Sequence, residues 1–234
     1  MPYNTLIFFI IIYFFYKLLY KTSTKNNKKI TTPEQALEEL LQGNREYHSF
    51  WNFLTGTNRK SVAAVQNPFA IVLSCSDSRV PTEIIFNQLG LGNLFIVRSA
   101  GHVTDSIALG SIEYGVDQLG ALLIIVLGHE RCGAVTSTLE SILDHSAPKS
   151  GHIQDIMNKI SPAALAILQK NNITKFSEED HKIKIINQTV QENIQHVVKS
   201  LHEESTIIAH AVDTHKIKII GAYYDLKDGD IHII

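Results

Sequence analysis

The chain has two cysteines, Cys75 and Cys132, and both lie in short polar motifs whose residue types can do metal chemistry. Cys75 opens Cys-Ser-Asp-Ser-Arg over 75–79. Cys132 falls in Gly-His-Glu-Arg-Cys-Gly over 128–133, with His129 three residues before it. Two thiolates and an imidazole are ligand types that zinc prefers, and three protein ligands with an open fourth position are the catalytic arrangement. Cys132 precedes Gly133-Ala134-Val135, which opens a helical pattern, and the partly positive helix N-terminus favours a thiolate there. Two thiolates neutralise Zn²⁺, so a bound hydroxide would leave the centre with net negative charge. A nearby cation or hydrogen-bond network would then help to hold it. Asp77 and Arg79 are close enough in sequence to reach each other and the metal. An Asp77 that ligates zinc gives a closed site with four protein ligands. An Asp77 paired with Arg79 leaves the fourth position to water and can accept a hydrogen bond from the zinc-bound hydroxide. On spacing alone, two buried unreactive cysteines remain an alternative reading.

Elements that would bring these motifs together can be read from the apolar pattern. Phe69–Leu73 runs without interruption into Ser74-Cys75, as in strands buried on both faces of a parallel sheet. Leu94–Val97, Ala121–Leu127 and Ile217–Tyr223 repeat the pattern, and Ile231–Ile234 reads as a short edge strand. Helical patterns lie near Ser106–Gln118, Ala134–Asp144, Pro162–Lys170 and Glu178–His202. In the last of these, Val190, Ile194, Val197, Val198 and Leu201 form a core or dimer-facing stripe. Upstream, Thr32-Pro33-Glu34-Gln35 carries a helix cap, with Ala36, Leu37, Leu40 and Leu41 on one face of the helix that follows. This alternation predicts an α/β fold: a mostly parallel sheet of four to five strands, flanked by helices, with an N-terminal helical arm. Sites in such sheets form beyond the carboxyl ends of the strands, where Cys75 and His129 fall.

Composition narrows the function classes. Hydrophobic residues make up 44% and charged residues 19%, which excludes a disordered chain. Two cysteines cannot build a disulfide scaffold. A net charge of −2 argues against a dedicated nucleic-acid binder, which would show a basic excess. The N-terminus is a separate segment. Leu6–Tyr16 reads LIFFIIIYFFY, and the stretch Leu6–Tyr20 would be about 22 Å long as a helix. Residues 1–31 therefore read as a hydrophobic membrane anchor or signal segment plus a basic linker, and residues 32–234 as the catalytic domain. An uncleaved anchor is favoured, because no basic side chain precedes the run and no good small-residue cleavage site follows it. Lys17, Lys21, Lys25, Lys28 and Lys29 all follow it, which places the domain on the cytoplasmic side, with a periplasmic or secreted location as the alternative.

CSDSRV (75–80) followed by GHERCG (128–133) resembles the β-class carbonic anhydrases. The resemblance extends to the strand and turn Leu94–Gly101, to Gly110-Ser111-Ile112-Glu113-Tyr114, and to Gly221–Leu226 with Gly229, and so covers roughly residues 32–234. It implies one zinc per chain held by Cys75, His129 and Cys132, with Asp77 and Arg79 as a catalytic dyad and Asp77 an additional ligand in a closed state. It implies reversible hydration of carbon dioxide to bicarbonate and a proton through zinc-bound hydroxide. Gln88 and Tyr114 stand where the family places cleft residues, Gln88 as the amide donor to a substrate oxygen. A homodimer or homotetramer is expected. Two departures stand out: His102 where the family usually has Asn, and Glu130-Arg131 where small residues are common. A proton relay through His102 competes with an ordinary solvated histidine. Two other functions share these residues: the same zinc site acting on a small substrate such as carbon disulfide, and a non-catalytic zinc-binding module closed by Asp77.

Overall fold

The computed structural model describes Tyr13 and residues 62–234 apart from 89 and 149. The chain divides into two units, Met1–Leu54 and Thr55–Ile234, and the described residues belong to the second except for Tyr13. The expected boundary at 31/32, the helix beginning at Thr32 and the run Leu6–Tyr20 lie outside the described residues, Tyr13 excepted. Among the described residues no helix is long and apolar enough to cross a membrane.

β1 (Ala70–Cys75) is buried at every position, which explains its unbroken apolar sequence. It pairs in parallel with β2 (Leu94–Ser99) on one side and β3 (Leu123–His129) on the other. β3 pairs in parallel with β4 (Lys218–Tyr224), and β5 (Ile231–Ile233) closes the far edge antiparallel to β4. The order β2-β1-β3-β4-β5 puts the Cys75 and His129 strands side by side at the centre. Both therefore end on the same carboxyl edge.

The helices follow as α1 (Thr82–Ile85), α2 (Ser106–Asp117), α3 (Gly133–Leu143), α4 (Gly151–Lys170), α5 (Glu179–Glu204) and α6 (Thr206–Asp213). The main core packs Ile71, Leu73 and Cys75 from β1 with Ile124 and Val126 from β3. Against them lie Ile112 of α2, Val135 and Leu139 of α3, Ile160 of α4, and Ile194 of α5. Val72, Leu127 and Ala222 point the other way and form a smaller cluster with Val80. The stripe Val190, Ile194, Val197 and Leu201 is buried against the sheet, which settles it as core. α5 approaches closely because Gly128 has no side chain: a Cβ there would lie 2.6 Å from Ile194 Cδ1.

Besides the short α1, which the sequence pattern did not mark, two elements differ from the sequence reading. The pattern at Pro162–Lys170 is the second half of a longer helix. Ser150 caps it by accepting from the Ile153 N–H, and Pro162 sits in its interior, not at its start. α6 follows α5 after a break at Ser205, whose hydroxyl accepts from Ile208 N–H and donates to Glu113 Oε1 at 2.6 Å.

Candidate metal centre

Cys75 ends β1, His129 ends β3, and Cys132 caps the start of α3. All three are buried, with His129 and Cys132 fully so. Their ligand atoms lie within 4.8 Å of one another, and the two sulfurs are 3.9 Å apart. Among the described residues this is the one such cluster.

The backbone between His129 and Cys132 turns through Arg131 at φ 53°, a left-handed conformation. That turn is braced on both sides. The Arg131 N–H donates to Asn187 Oδ1 on α5 at 3.0 Å, and the Arg131 carbonyl accepts from Arg79 Nη2 at 3.4 Å. Asn187 lies in Asn-Gln-Thr, a glycosylation-type triplet, but its amide is engaged in holding this loop.

His129 Nδ1 lies 2.9 Å from the Glu130 carbonyl. A carbonyl only accepts, so Nδ1 carries the proton and Nε2 offers its lone pair. Nε2 is buried and has no hydrogen-bond partner. A buried acceptor facing two thiols is costly unless a cation completes it. The thiols point to the same conclusion. The Cys132 hydrogen bond, joined by the Gly101 N–H, holds the Cys75 thiol well below its usual value against the opposing effect of burial. The same sulfur–sulfur contact and burial push the Cys132 thiol up, while the Ala134 and Val135 N–H groups pull the other way. The donor set thus fits a metal ion.

Asp77 and Arg79 form a clamp beside the cluster. Arg79 donates through Nε to Asp77 Oδ1 at 2.9 Å and through Nη2 to Oδ2 at 2.7 Å, and its backbone N–H reaches Oδ1 at 2.9 Å. The guanidinium holds the Asp77 carboxyl far below the usual carboxylate range. Asp77 Oδ2 remains 3.8 Å from His129 Nε2, so the carboxylate borders the cluster while its oxygens are turned to arginine.

Arg98 is a contributor that residue spacing does not single out. Its Nε and Nη2 donate to the Cys75 carbonyl at 3.0 and 2.9 Å, and Nη2 also donates to the Asp77 carbonyl at 2.8 Å. One guanidinium thus fixes the backbone of both motif residues. Its place in the Arg-x-Ala-Gly sequence was the available signal. In the same sequence, the Gly101 N–H donates to Cys75 Sγ at 3.3 Å.

His102 is fully buried, which removes the solvated reading. Its Nε2 lies 2.9 Å from Asn193 Nδ2, and burial lowers its pKa to about 4. Gln88 and Tyr114 do not join the cluster within this chain. The Gln88 amide donates to the Phe86 carbonyl at 3.3 Å and accepts from Asn93 at 3.1 Å. Tyr114 is half exposed and stacks obliquely on Phe95, with ring centroids 6.3 Å apart. Phe95 is near the start of β2, whereas Cys75 is in register with Ser99 at its end.

Comparison with known proteins agrees with this geometry. A family model described as carbonic anhydrase matches residues 70–231. Carbonic anhydrase 2 of Mycobacterium tuberculosis is 36% identical over 208 residues, covering 85% of this chain and 91% of the relative. The carbonic anhydrase of Mycolicibacterium smegmatis is 41% identical over 175 residues, covering 75% and 79%. A solved structure of tetrameric β-carbonic anhydrases from Sordaria macrospora superposes with a TM-score of 0.72 at 21% identity, covering 85% of this chain and 96% of that one. Fold, buried Cys-His-Cys cluster and sequence relatives agree, and the chain belongs to the β-class carbonic anhydrases.

Proposed function

We propose that the chain interconverts carbon dioxide and bicarbonate at a zinc ion held by Cys75 Sγ, His129 Nε2 and Cys132 Sγ. The single observation that carries the reading is the buried, unpartnered His129 Nε2 facing two thiols whose sulfurs are 3.9 Å apart. Zinc in such a ligand set supplies Lewis acidity, which brings the pKa of a bound water to about 7. The chain's own residues do the rest. His129 is held by its Nδ1–H bond to the Glu130 carbonyl, so its lone pair is aimed without a search through rotamers. Asp77, kept ionised by Arg79, accepts a proton-bearing hydrogen bond at the cluster's rim and cannot act as an acid near neutral pH. Arg79 turns both Asp77 oxygens toward itself, which favours an open site over one closed by the carboxylate.

Gln88 as a donor to substrate oxygen, and Tyr114 as a cleft residue, complete the proposed site. The Gln88 role requires Nε2 to leave the Phe86 carbonyl. A homodimer or homotetramer is proposed on the tetrameric Sordaria macrospora relatives. Residues 6–20 are proposed as a membrane anchor with the domain on the cytoplasmic side, on the strength of the apolar run and the lysines after it. A reporter fused after Ile234 tests the side. Stopped-flow carbon dioxide hydration by the zinc-loaded chain tests the activity. A rate at the buffer level with one zinc bound per chain would sink it.

A further inference from the structure

The hydrogen bond from Gly101 N–H to Cys75 Sγ depends on an improbable piece of backbone. Ala100–His102 is a single 3₁₀ turn in which Gly101 sits at φ 71°, ψ 18° and His102 at φ 48°. Two consecutive residues are thus in the left-handed region, and the second is not glycine. An isolated peptide would leave this conformation readily. The turn must therefore be held from outside.

Asn193 of α5 does this. Its Nδ2 lies 3.1 Å from the Gly101 carbonyl and 2.9 Å from His102 Nε2. The carbonyl only accepts, so the amide nitrogen faces it with one hydrogen and turns the other to the imidazole. His102 Nε2 is therefore the acceptor, and the ring carries its proton on Nδ1. One fully buried amide group thereby ties both left-handed residues to the helix that packs under β3. A Cβ on Gly101 would meet Ile160 Cδ1 at 2.7 Å and Ala134 Cβ at 3.2 Å. The turn is thus held by α5 and packed against α3 and α4, and it reaches the cluster through the Gly101 N–H.

We infer that Asn193 is a positioning residue for the metal centre, holding the Ala100–His102 turn so that the Gly101 N–H stays aimed at Cys75 Sγ. The inference rests on the metal-site reading above and adds a residue that touches neither ligand nor substrate. A hydrogen bond to a thiolate lowers the energy of the sulfur lone pairs. Losing it therefore moves a thiolate-to-metal charge-transfer band to lower energy, and freeing the turn that packs against Cys75 loosens the site.

The test uses the full chain loaded with Co²⁺, whose thiolate charge-transfer absorption lies in the near ultraviolet. Wild-type protein is expected to take one Co²⁺ per chain and show the band; a chain that shows none overturns the metal-site reading itself. With the band present, Asn193→Ala is expected to shift it to lower energy and to weaken Co²⁺ retention against a chelator by about tenfold. Leu201→Ala, a cavity elsewhere on α5, is expected to lower the melting temperature and leave the band in place. An Asn193→Ala band at the wild-type position overturns the inference while leaving the metal site standing, even if that variant melts early. So does a Leu201→Ala shift of equal size. If Asn193→Ala does not fold, Asn193→Ser, which keeps one donor for the Gly101 carbonyl, is expected to shift the band by a smaller amount, and an unmoved band there overturns the inference equally.

Discussion

Arg79 grips Asp77 with three donors, its side chain spanning both carboxylate oxygens at 2.9 and 2.7 Å and its backbone N–H adding a third bond at 2.9 Å. On the proposed reading, this pairing would decide whether the carboxylate serves the centre or plugs it. Asp77→Asn keeps the shape but loses the charge. It is expected to retain one zinc per chain and lose about 10²-fold or more in kcat/KM, as removal of a proton-handling group does. Stopped-flow hydration checks this, and an unchanged rate would refute the role. Arg79→Ala removes the two side-chain donors and leaves the backbone N–H on Oδ1, which frees Oδ2, 3.8 Å from His129 Nε2. The expected result is loss of rate with zinc retained, and a zinc-edge absorption spectrum that gains a carboxylate oxygen.

Cys75→Ser and His129→Ala each remove one of the three ligand atoms within 4.8 Å of one another. Both are expected to abolish stoichiometric zinc, measured by elemental analysis after dialysis. Retention of one zinc per chain in either variant would show that the ion sits elsewhere.

Arg98→Ala removes three donor contacts from the carbonyls of Cys75 and Asp77. A loss of about 1–2 kcal/mol is expected from bonds to a charged donor at an exposed side chain. Arg98→Lys should recover little, because an ammonium cannot reproduce the fork. Chemical denaturation measures the first effect, and a lysine variant as stable as wild type would contradict the geometric account.

Gly101→Ala meets both a left-handed backbone and Ile160 Cδ1 at 2.7 Å. The expected cost is about 2–4 kcal/mol. Ile160→Val in the same chain should return the steric part and leave the backbone part. Full recovery in the double variant would mean that the left-handed conformation costs nothing.

His102 is neutral in the fold because burial lowers its pKa to about 4 from a usual 6.5, with the Cys75 charge acting upward and His129 downward. Between those values the unfolded chain binds a proton that the folded chain refuses. Stability is therefore full above pH 6.5, falls as pH drops toward 4, and levels off below it. The loss is about 3 kcal/mol at ~1.4 kcal/mol per unit. His102→Asn is expected to flatten that slope in denaturant titrations of the metal-free chain. An unchanged slope would place the proton uptake on another group.

Much of the fold could be read directly from local pattern. β1 and β3 are unbroken apolar runs because both faces of a central parallel strand are covered, and the polar motifs begin where that cover stops. The Cys75-His129-Cys132 cluster was visible for the same reason. The first half of α4 was not, because Pro162 reads as a helix start when it sits inside one. There the Ser161 hydroxyl donates to the Met157 carbonyl, a local bond that the apolar pattern does not encode. α6 was hidden behind α5, whose pattern runs almost into it and whose break depends on the Ser205–Glu113 contact across 92 residues. The same limit applies to the site's supports. Arg98, Asn187 and Asn193 act through carbonyls and N–H groups far along the chain, and no spacing rule reveals them. Gln88 and Tyr114 entered by resemblance alone, and within one chain their contacts are with Phe86, Asn93 and Phe95.

The reach from Gly101 to Asn193 spans 92 positions, against 57 between the two sulfurs. During synthesis, at roughly 5–20 residues per second, Cys132 is made seconds before Asn193. The nascent polypeptide therefore exposes a complete set of metal-binding side chains before the helix that disciplines them exists. On the proposed metal-site reading, secure capture of an ion would be a late event in biogenesis, timed by α5 and not by the three side chains that hold it.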